Sequence, residues 1–328
     1  MTEQELRDPK RTPSRAGVLR AMEKIAHILP PTPLLPLEVD GRTLWCKAEM
    51  LQPIGAFKIR GAWHRLSDLT EEERKRGVVA VSSGNHAQGV AWAARRLGIM
   101  ATIVMPENAP RAKIEATRAL GAHVVLYQRP GQDRDEIARG IVAENGATMV
   151  HPFGDPWVIE GQGTAGIEAE VQLKALGIDG PLHIIACCGG GGLSAGLGLA
   201  CPDATLSIAE PEGWDGVIAS IAAGEIVGVA DQAHPTPCDA LQTPRTFPIN
   251  FAVLKERVSS SAVVTPADVA RAMRLVFERL HLVVEPGGAA ALAAVLAGKI
   301  ELVGTPLVTL SGGNVDQGTF VRMIGEVA

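Results

Sequence analysis

Residues 78–105, VVAVSSGNHAQGVAWAARRLGIMATIVM, decide the fold class. Two short apolar runs, Val78–Val81 and Ala101–Met105, are typical of buried strands, and Asn85–Leu97 between them has the apolar spacing of an amphipathic helix. Gly98 follows that helix as its expected C-terminal stop. A strand, a helix and a second strand in this order indicate a βαβ unit, in which the two strands run parallel.

The same alternation continues outward from this stretch, with glycine stops at Gly121 and Gly146. The expected elements are helix Pro110–Leu120, strand Val124–Leu126, helix Asp133–Asn145 and strand Ala147–Val150. Right-handed crossovers between parallel strands place helices on both faces of a sheet. The sequence therefore predicts a three-layer α/β block.

A second block of alternating elements begins near residue 160. The expected elements are helix Glu160–Leu176, strand Leu182–Cys187, helix Leu193–Ala200, strand Thr205–Ala209, helix Pro266–Leu280, helix Gly288–Ala297, strand Pro306–Leu310 and a terminal helix from Asp316. Residues 211–262 carry five prolines and little periodicity, so we expect much of that stretch to be loop. The 328 residues are thus expected to form two three-layer α/β domains.

Charge and composition exclude several classes of function. The 31 Lys+Arg and 36 Asp+Glu leave a net charge of −5, so a broad basic surface for nucleic acid has no source. No apolar run approaches the roughly 18 residues of a membrane span, and the charged start lacks the apolar stretch of a signal peptide. The five cysteines include no C-x-x-C pair, and the histidines show no zinc-binding spacing. We expect a cytoplasmic protein with reduced thiols and neither a nucleic-acid nor a membrane partner.

A turn between an expected strand and an expected helix consists entirely of glycine. Its residues are Gly189, Gly190, Gly191 and Gly192. Main-chain N–H groups in such a turn can approach a phosphate closely, and the helix start adds favourable partial charge. A dinucleotide is one candidate ligand, because Gly190-x-Gly192-x-x-Ala195 fits a Rossmann fingerprint and Glu210 follows about 20 residues later, where a ribose-binding acid would be. A tight turn without a ligand is the other explanation.

A second strand-to-helix turn, SSGNHAQG, spans residues 82–89. Its serine hydroxyls, the Asn85 amide and the free N–H groups of a helix start suit a carboxylate or a phenolate. Capping by Ser83 or Asn85 is the alternative, although capping alone needs fewer small and polar residues. A third such turn, Ser311-Gly312-Gly313-Asn314, follows the last expected strand, and ligands of open α/β sheets gather beyond strand ends.

Lys58 lies in the stretch GAFKIRGA, residues 55–62. A lysine in an apolar setting can lose its proton, and the neutral amine can form a Schiff base with an aldehyde. Pyridoxal phosphate carries both an aldehyde and a phosphate, so Lys58 and the glycine turn are compatible with one ligand. A solvated surface lysine is the alternative.

Together these segments resemble the serine/threonine dehydratase and serine racemase family of fold-type II pyridoxal phosphate enzymes. The resemblance spans about residues 31–318 and is carried, in family order, by AFKIRGA, SSGNHAQG, HPFGDPWVIEGQGT, CGGGGLSAG, EPGGAA and SGGNVD. It implies the tryptophan synthase β-like architecture, with the cofactor in the cleft between two α/β domains. The implied boundaries are an N-terminal extension at 1–25, a large cofactor-binding domain at 26–65 and 152–328, and a small domain at 66–151.

The resemblance also implies a role for each matching residue. Lys58 would bind the cofactor as a Schiff base and remove the α-proton of the substrate, and Ser83, on the opposite face of the ring, would return a proton in a racemase. The implied cofactor-binding residues are Phe57, Lys58, Asn85, Gly189, Gly190, Gly191, Gly192 and Ser311. The implied substrate-binding residues are Ser82, Ser83, Asn85, His86, Ala87 and Phe153.

Several positions depart from the family pattern. Ala240 replaces a usual glycine, Gly154 replaces a frequent aspartate and should leave space for a larger substrate, and Ser83 replaces the alanine of many threonine dehydratases. Glu210 matches one residue of a family site for magnesium or another divalent or monovalent cation. Gly216 stands where a second acid is common, so Asp215 or a main-chain carbonyl would have to supply that ligand.

The sequence therefore predicts a pyridoxal phosphate-dependent dehydratase that forms a homodimer and acts on a small β-hydroxy-α-amino acid. L-Threonine or L-serine is the expected substrate, and a 2-keto acid and ammonia are the expected products. An amino acid racemase of the serine or hydroxyaspartate type is the alternative on the same fold. A dinucleotide-binding Rossmann dehydrogenase is a more distant alternative.

Overall fold

The computed structural model describes residues 11–109, 111–128, 131–229 and 235–325. The strands are β1 (Leu34–Val39), β2 (Arg42–Ala48), β3 (Val78–Val81), β4 (Ala101–Pro106), β5 (His123–Tyr127), β6 (Thr148–Met149), β7 (Leu182–Cys187), β8 (Thr205–Pro211), β9 (Val258–Val264) and β10 (Thr305–Leu310). The helices are α1 (Arg15–Ala26), α2 (Lys58–Ser67), α3 (Glu71–Arg76), α4 (Asn85–Leu97), α5 (Arg111–Ala119), α6 (Arg134–Asn145), α7 (Pro156–Ala175), α8 (Gly192–Ala200), α9 (Gly216–Ala223), α10 (Pro248–Arg257), α11 (Pro266–Leu280), α12 (Pro286–Leu296) and α13 (Gln317–Gly325). Short 3-10 helices lie at Glu49–Leu51 and Asp239–Leu241.

The first sheet has four strands in the order β5-β4-β3-β6, and all neighbours are parallel. Strand β3 and helix α4 have the bounds that the sequence predicts. Gly98 and Gly146 end α4 and α6 with φ of 65° and 71°, a left-handed conformation that L side chains rarely adopt. The predicted alternation is thereby confirmed over residues 78–149, apart from Pro110, which lies outside the described residues.

The second sheet has six strands in the order β1-β2-β10-β7-β8-β9. β1 is antiparallel to β2, and the other neighbours are parallel. The turn Asp40-Gly41 joins β1 to β2 with φ of 49° and 74°, and positive φ at both positions is what a type I′ hairpin requires. Because β10 and β7 are parallel neighbours in the middle of the sheet, the loops that follow them open at the same edge.

Helix α7 packs against helices from earlier and later parts of the chain. It packs against α8 on one side and against α2, the helix of Lys58, on another. Small residues permit the close approach: a Cβ on Gly196 of α8 would lie 2.3 Å from the carbonyl oxygen of Ile159 and 2.6 Å from the nitrogen of Gly163. The alanine-rich α12 is likewise buried and contacts β7, β8, β9 and β10.

The prediction of loop over much of residues 211–262 holds for most of the described residues between α9 and α10, but it misses three elements. Helices α9 and α10 and strand β9 lie there, and residues 230–234 fall outside the described part of the chain. α10 begins with Pro248, which a helix tolerates at its first position because the leading N–H groups have no helical partner anyway. β9, VSSSAVV, is an edge strand with exposed serines, so its apolar pattern is weak.

The strands of the first sheet fall within 66–151, and those of the second fall within 26–65 and 152–328. The domain boundaries themselves stay a prediction. Within the predicted N-terminal extension, α1 packs on α7. In the ranges that the structure describes, none of the helices combines the length and the apolarity that crossing a membrane requires.

Candidate active site

The segment before Lys58 runs alongside the turn after β10. The N–H of Phe57 donates to the carbonyl oxygen of Ser311 at 3.0 Å, and the N–H of Gly313 donates to the carbonyl oxygen of Gly55 at 2.9 Å. These two main-chain bonds fix Lys58, the first residue of α2, beside the end of β10.

Asn85, the first residue of α4, is tied to the same turn. Asn314 Nδ2 donates to Asn85 Oδ1 at 2.8 Å, and Asn85 Nδ2 donates to Glu285 Oε1 at 2.7 Å. The turn after β3, the turn after β10 and the start of α12 therefore meet. Lys58, Asn85 and Ser311, which the sequence predicts to serve one ligand, are brought together by these bonds.

The Lys58 side chain is half-buried, and its amine is held by a carbonyl oxygen. Nζ donates to the carbonyl of Pro152 at 2.8 Å and lies 5.0 Å from the ring centre of Phe57. Burial lowers the pKa of Lys58 to about 8, and the nearby carboxylate of Glu285 opposes that shift. A larger share of the amine is thus neutral near pH 7 than in a solvated lysine, and the neutral form is the one that attacks an aldehyde.

The glycine turn after β7 has no room for side chains. A Cβ on Gly190 or Gly192 would lie 2.3 or 3.0 Å from side-chain atoms of Phe153, and one on Gly189 would lie 3.0 Å from a Cα atom of the second 3-10 helix. Gly191 precedes α8 with φ of 86°. Because the turn carries no side chains and leads into a helix start, several of its main-chain N–H groups can approach a phosphate. The cradle and the nearby amine fit pyridoxal phosphate.

The turn after β3 holds the residues predicted to bind the substrate carboxylate. Ser82 Oγ accepts a hydrogen bond from the N–H of Gly84 at 3.2 Å, and Ser83 is half-buried next to it. His86 and Ala87 lie in the first turn of α4. The leading N–H groups of a helix have no helical partner and lie at its positive end, so this turn suits a carboxylate.

The imidazole of His86 is neutral. Nε2 lies 2.9 Å from the carbonyl oxygen of Val150, which only accepts, so Nε2 carries the proton. Burial, and after it the charge of Lys58, lowers the pKa of His86 to about 3. Nδ1 is buried and has no hydrogen-bond partner among the described residues. His86 can therefore bind a carboxylate through its main-chain N–H but not through a positive charge.

Phe153 belongs to an aromatic wall. Its ring centre lies 4.5 Å from that of His151 and 5.4 Å from that of Phe247. The prediction that Gly154 leaves space for a larger substrate is wrong. A Cβ at Gly154 would lie 3.0 Å from the Phe247 ring and 3.1 Å from His151 Nδ1, so these two rings already occupy that space.

Ser311 is buried at the end of β10, next to the thiol of Cys187 at the end of β7. Burial raises the pKa of Cys187, and its hydrogen bond with Ser311 opposes that rise. The neutral hydroxyl of Ser311 therefore lies where the ends of β7 and β10 meet.

Glu285 is a site residue that the sequence analysis did not single out. It is 2% exposed and immediately precedes α12, whose first nine residues are buried. Charged side chains are rarely buried unless they have a partner. An acid directly before a buried alanine-rich helix was therefore a signal in the sequence, within EPGGAA.

Glu210 lies at the end of β8, the parallel neighbour of the strand β7 that leads into the glycine turn. It is 1% exposed and accepts hydrogen bonds from the N–H groups of Val217 and Ile218 at 3.3 and 2.8 Å. Burial raises the pKa of Glu210 well above its ordinary value. Within the described residues, no three His, Cys, Asp or Glu side chains gather as a metal site would require. A cation at Glu210 stays a prediction.

A dinucleotide would make no use of a lysine amine at the strand ends, whereas a phosphorylated aldehyde needs both that amine and the glycine cradle. The fold and the site therefore define a pyridoxal phosphate enzyme of fold type II. The chain matches the family of pyridoxal-phosphate dependent enzymes over residues 25–312 and belongs to it. The predicted fold class and cofactor are confirmed, and the dehydrogenase alternative is wrong.

Relatives of known activity cover nearly the whole chain. It is 38% identical over 324 residues to L-threo-3-hydroxyaspartate ammonia-lyase of Saccharomyces cerevisiae, covering 95% of this chain and 96% of the relative. It is 40% identical to L-threonine ammonia-lyase of Thermotoga maritima, covering 88% of this chain and 71% of the relative. Its structure superposes on maize serine racemase with a TM-score of 0.88 at 33% identity, covering 96% of this chain and 98% of that one. The chain is an enzyme of the ammonia-lyase and racemase group.

Proposed function

We propose that the protein is an ammonia-lyase that converts L-threonine or L-serine into a 2-keto acid and ammonia. The observation that carries the proposal is the Lys58 amine, whose pKa burial lowers to about 8, at the meeting point of the turns after β3, β7 and β10. Bound pyridoxal phosphate supplies an aldehyde for the substrate amine and an electron-withdrawing ring that makes the α-proton acidic.

Each residue has a proposed role. The neutral Lys58 amine takes the α-proton. Ser82, Ser83 and the N–H groups at the start of α4 hold the substrate carboxylate, the glycine turn holds the phosphate, and Asn85 and Phe57 contact the ring. The β-hydroxyl takes up the proton that Lys58 removed and leaves as water. The enamine that remains tautomerises to an imine, and a water molecule adds at its α-carbon and releases ammonia. The water lost in the elimination is regained in the hydrolysis, so all atoms of the amino acid appear in the keto acid and ammonia. No oxidant is consumed.

Ser311 supports elimination over slower chemistry at the α-carbon. In the proposed site Ser311 would contact the pyridine nitrogen of the cofactor. A hydroxyl does not keep that nitrogen protonated as an aspartate would, so the ring withdraws electrons less strongly. The weaker electron withdrawal would favour prompt departure of the β-hydroxyl.

The aromatic wall supports a small, uncharged β-substituent. Burial above all lowers the pKa of His151 well below its ordinary value, and the charge of Lys58 lowers it further. The rings of His151, Phe153 and Phe247 therefore offer no positive charge to a second carboxylate, and burying an unpaired carboxylate is costly. Threonine or serine fits such a wall better than hydroxyaspartate, although relatives act on either.

The test is a panel of substrates assayed with the holoenzyme. L-Threonine, L-serine and L-threo-3-hydroxyaspartate are each assayed for keto acid and ammonia, which we expect in equal amounts, and L-threonine or L-serine is expected to have the highest kcat/KM. A best substrate with a second carboxylate would contradict the proposed substrate. Absence of keto acid from all three, with the enantiomers interconverting, would contradict elimination itself.

An amino acid racemase is the second candidate, and Ser83 is the observation that favours it. The half-buried hydroxyl lies in the proposed carboxylate turn, where a proton donor on the face opposite Lys58 is needed. Chiral chromatography of the products from L-serine, run beside the keto acid assay, separates the two activities. More D-serine than keto acid would favour the racemase.

A cytoplasmic location and a homodimer are also parts of the proposal. They rest on the sequence and on its family resemblance. Sedimentation of the purified holoenzyme tests the dimer, and a monomer at micromolar concentration would contradict it.

A further inference from the structure

Glu285 occupies the N-cap position of α12 without capping that helix. Its backbone is extended, and its side chain makes no hydrogen bond to the N–H groups of α12. Oε1 instead accepts a hydrogen bond from Asn85 Nδ2 at 2.7 Å. An acidic side chain at a helix start ordinarily stabilises the helix through those N–H groups. This one is placed for a contact with another segment.

The orientation of the Asn85 amide follows from two groups that only accept hydrogen bonds, the carbonyl of Ile54 and the carboxylate of Glu285. The carbonyl of Ile54 acts through Asn314. Asn314 Nδ2 donates to the carbonyl oxygen of Ile54 at 2.8 Å, so the nitrogen of Asn314, and not its oxygen, faces Asn85 Oδ1 at 2.8 Å. At the other end, an ionised Glu285 only accepts, so Asn85 Nδ2 must face it. An amide nitrogen carries two hydrogens, and one N–H of Asn85 remains in a direction that these contacts set.

We propose that Glu285 and Asn314 are positioning residues for the cofactor. They hold the Asn85 amide so that its remaining N–H meets the phenolic oxygen, and Glu285 places a negative charge near the Lys58 nitrogen. Both act through Asn85 and Lys58 and touch no reacting atom.

The charges around Glu285 agree with this arrangement. Burial, followed by the charge of Asp239, raises the pKa of Glu285 to about 7, and the hydrogen bond from Asn85 opposes that rise. The other titratable groups that interact with Glu285 are Lys113 of α5, Lys58 of α2 and the thiols of Cys187 and Cys238. Glu285 is thus partly ionised near neutral pH, and its charge favours the protonated form of the Lys58 nitrogen.

The first test is Glu285→Gln in the holoenzyme, because glutamine keeps the shape and removes the charge. The readout is the pH midpoint at which the visible absorption of the bound cofactor changes. We expect the midpoint to fall by about one pH unit, as for a cation that loses a nearby carboxylate. The matched control is Asp268→Asn, a buried acid in the first turn of α11. A wild-type midpoint in Glu285→Gln, or an equal shift in the control, would overturn the proposal.

The second test is Asn314→Ala, which removes the donor to Asn85 and changes no charge. We expect the Kd of the cofactor to rise about two- to tenfold, as for a lost neutral hydrogen bond, with a smaller shift of the midpoint than in Glu285→Gln. An unchanged Kd would overturn the proposal. If Glu285→Gln does not fold, the Kd of the cofactor in Asn314→Ala is the measurement that tests the proposal.

The inference rests on the proposed attachment of the cofactor to Lys58 and not on the identity of the substrate. Each holoenzyme is therefore also reduced with borohydride and its peptides are mapped. A label on another lysine would overturn both the attachment and the inference. A label on Lys58 with an unchanged midpoint and an unchanged Kd would overturn the inference alone.

Discussion

The guanidinium of Arg60 makes two hydrogen bonds of 2.7 Å to the carboxylate of Glu168, in a core where the two residues are 0% and 3% exposed. Arg60 follows Lys58 by two positions on α2, and Glu168 lies on α7. Arg60 also pairs with Glu49, and Lys47 pairs with Glu168, so two cations balance two carboxylates. This network fixes α2, and with it Lys58, against α7.

Glu168→Gln should lower the free energy of unfolding by about 3–5 kcal/mol, because it leaves buried cations without their full counter-charge. Burial opposes ionisation of Glu168, but the hydrogen bonds and charges of Arg60 and Lys47 hold its pKa below the ordinary value. Urea denaturation measures the loss. Glu170→Gln, at an exposed position of the same helix, is the control and should change stability by less than about 0.5 kcal/mol. Equal effects of the two would contradict the role of the network.

Gly196→Ala should destabilise the protein by at least about 1–3 kcal/mol, because the new methyl group would collide with main-chain atoms of α7 that cannot move independently. Gly140→Ala is the matched change in α6, at a position with no atom within 4 Å of the new Cβ. It should stabilise the protein by about 0.5–1 kcal/mol, because alanine is the better helix former. Thermal melting compares the two variants, and a Tm shift of the same sign in both would refute this account of the helix crossing.

The turns of the site could be predicted because strand and helix patterns have different periods. The change from VVAV to an amphipathic stretch locates the turn before α4, and the change from LHIIAC to glycines locates the turn before α8. Parallel strands then bring such turns to one edge. The bounds of β3, α4, β7 and α11 accordingly match the prediction.

Contacts between distant segments could not be predicted in this way. The sequence around Gly154 predicts free space beside this residue, because it carries no information about Phe247. The ring of Phe247 fills that space, and it lies more than 90 residues away in the chain. The bond between Glu285 and Asn85 joins positions 200 residues apart, and no local period records it. Such pairings depend on how the two sheets are packed, which a pattern of single residues does not encode.

Ser83→Ala separates the two candidate activities. If the hydroxyl only binds the carboxylate, the variant should lose about 0.5–1.5 kcal/mol of substrate binding, or more toward a charged group, and keep elimination of the L-substrate. If the hydroxyl instead transfers a proton, racemisation and any reaction of the D-substrate should collapse. Chiral chromatography and a keto acid assay, run on wild type and variant, give both rates. Loss of L-elimination by orders of magnitude would contradict both roles.

Capture of pyridoxal phosphate by the cofactor-free protein should depend on the pKa of Lys58, which burial lowers to about 8. Protonation blocks the amine below that pH, so the capture rate should rise about tenfold from pH 7 to pH 9 and then level off. Stopped-flow absorption measures the rate. A rate that keeps rising in proportion to hydroxide up to pH 10 would indicate an ordinary, solvated lysine.

Lys58→Ala should abolish turnover and leave the fold intact. The change removes the proposed attachment point and the proposed base together, so kcat should fall by orders of magnitude. It breaks one hydrogen bond, to Pro152, and no ion pair of the described residues includes Lys58. Circular dichroism and melting of the cofactor-free variant check the fold, and near-normal turnover in a folded variant would count against the site.

Borohydride reduction of the holoenzyme, followed by peptide mass mapping, tests the attachment at Lys58 most directly. Reduction makes the link between cofactor and amine permanent, so the labelled peptide identifies the lysine. The site predicts label on the peptide that contains Lys58 and none on the peptides of Lys47 or Lys113. Label on another lysine, or a cofactor that washes away after reduction, would contradict it.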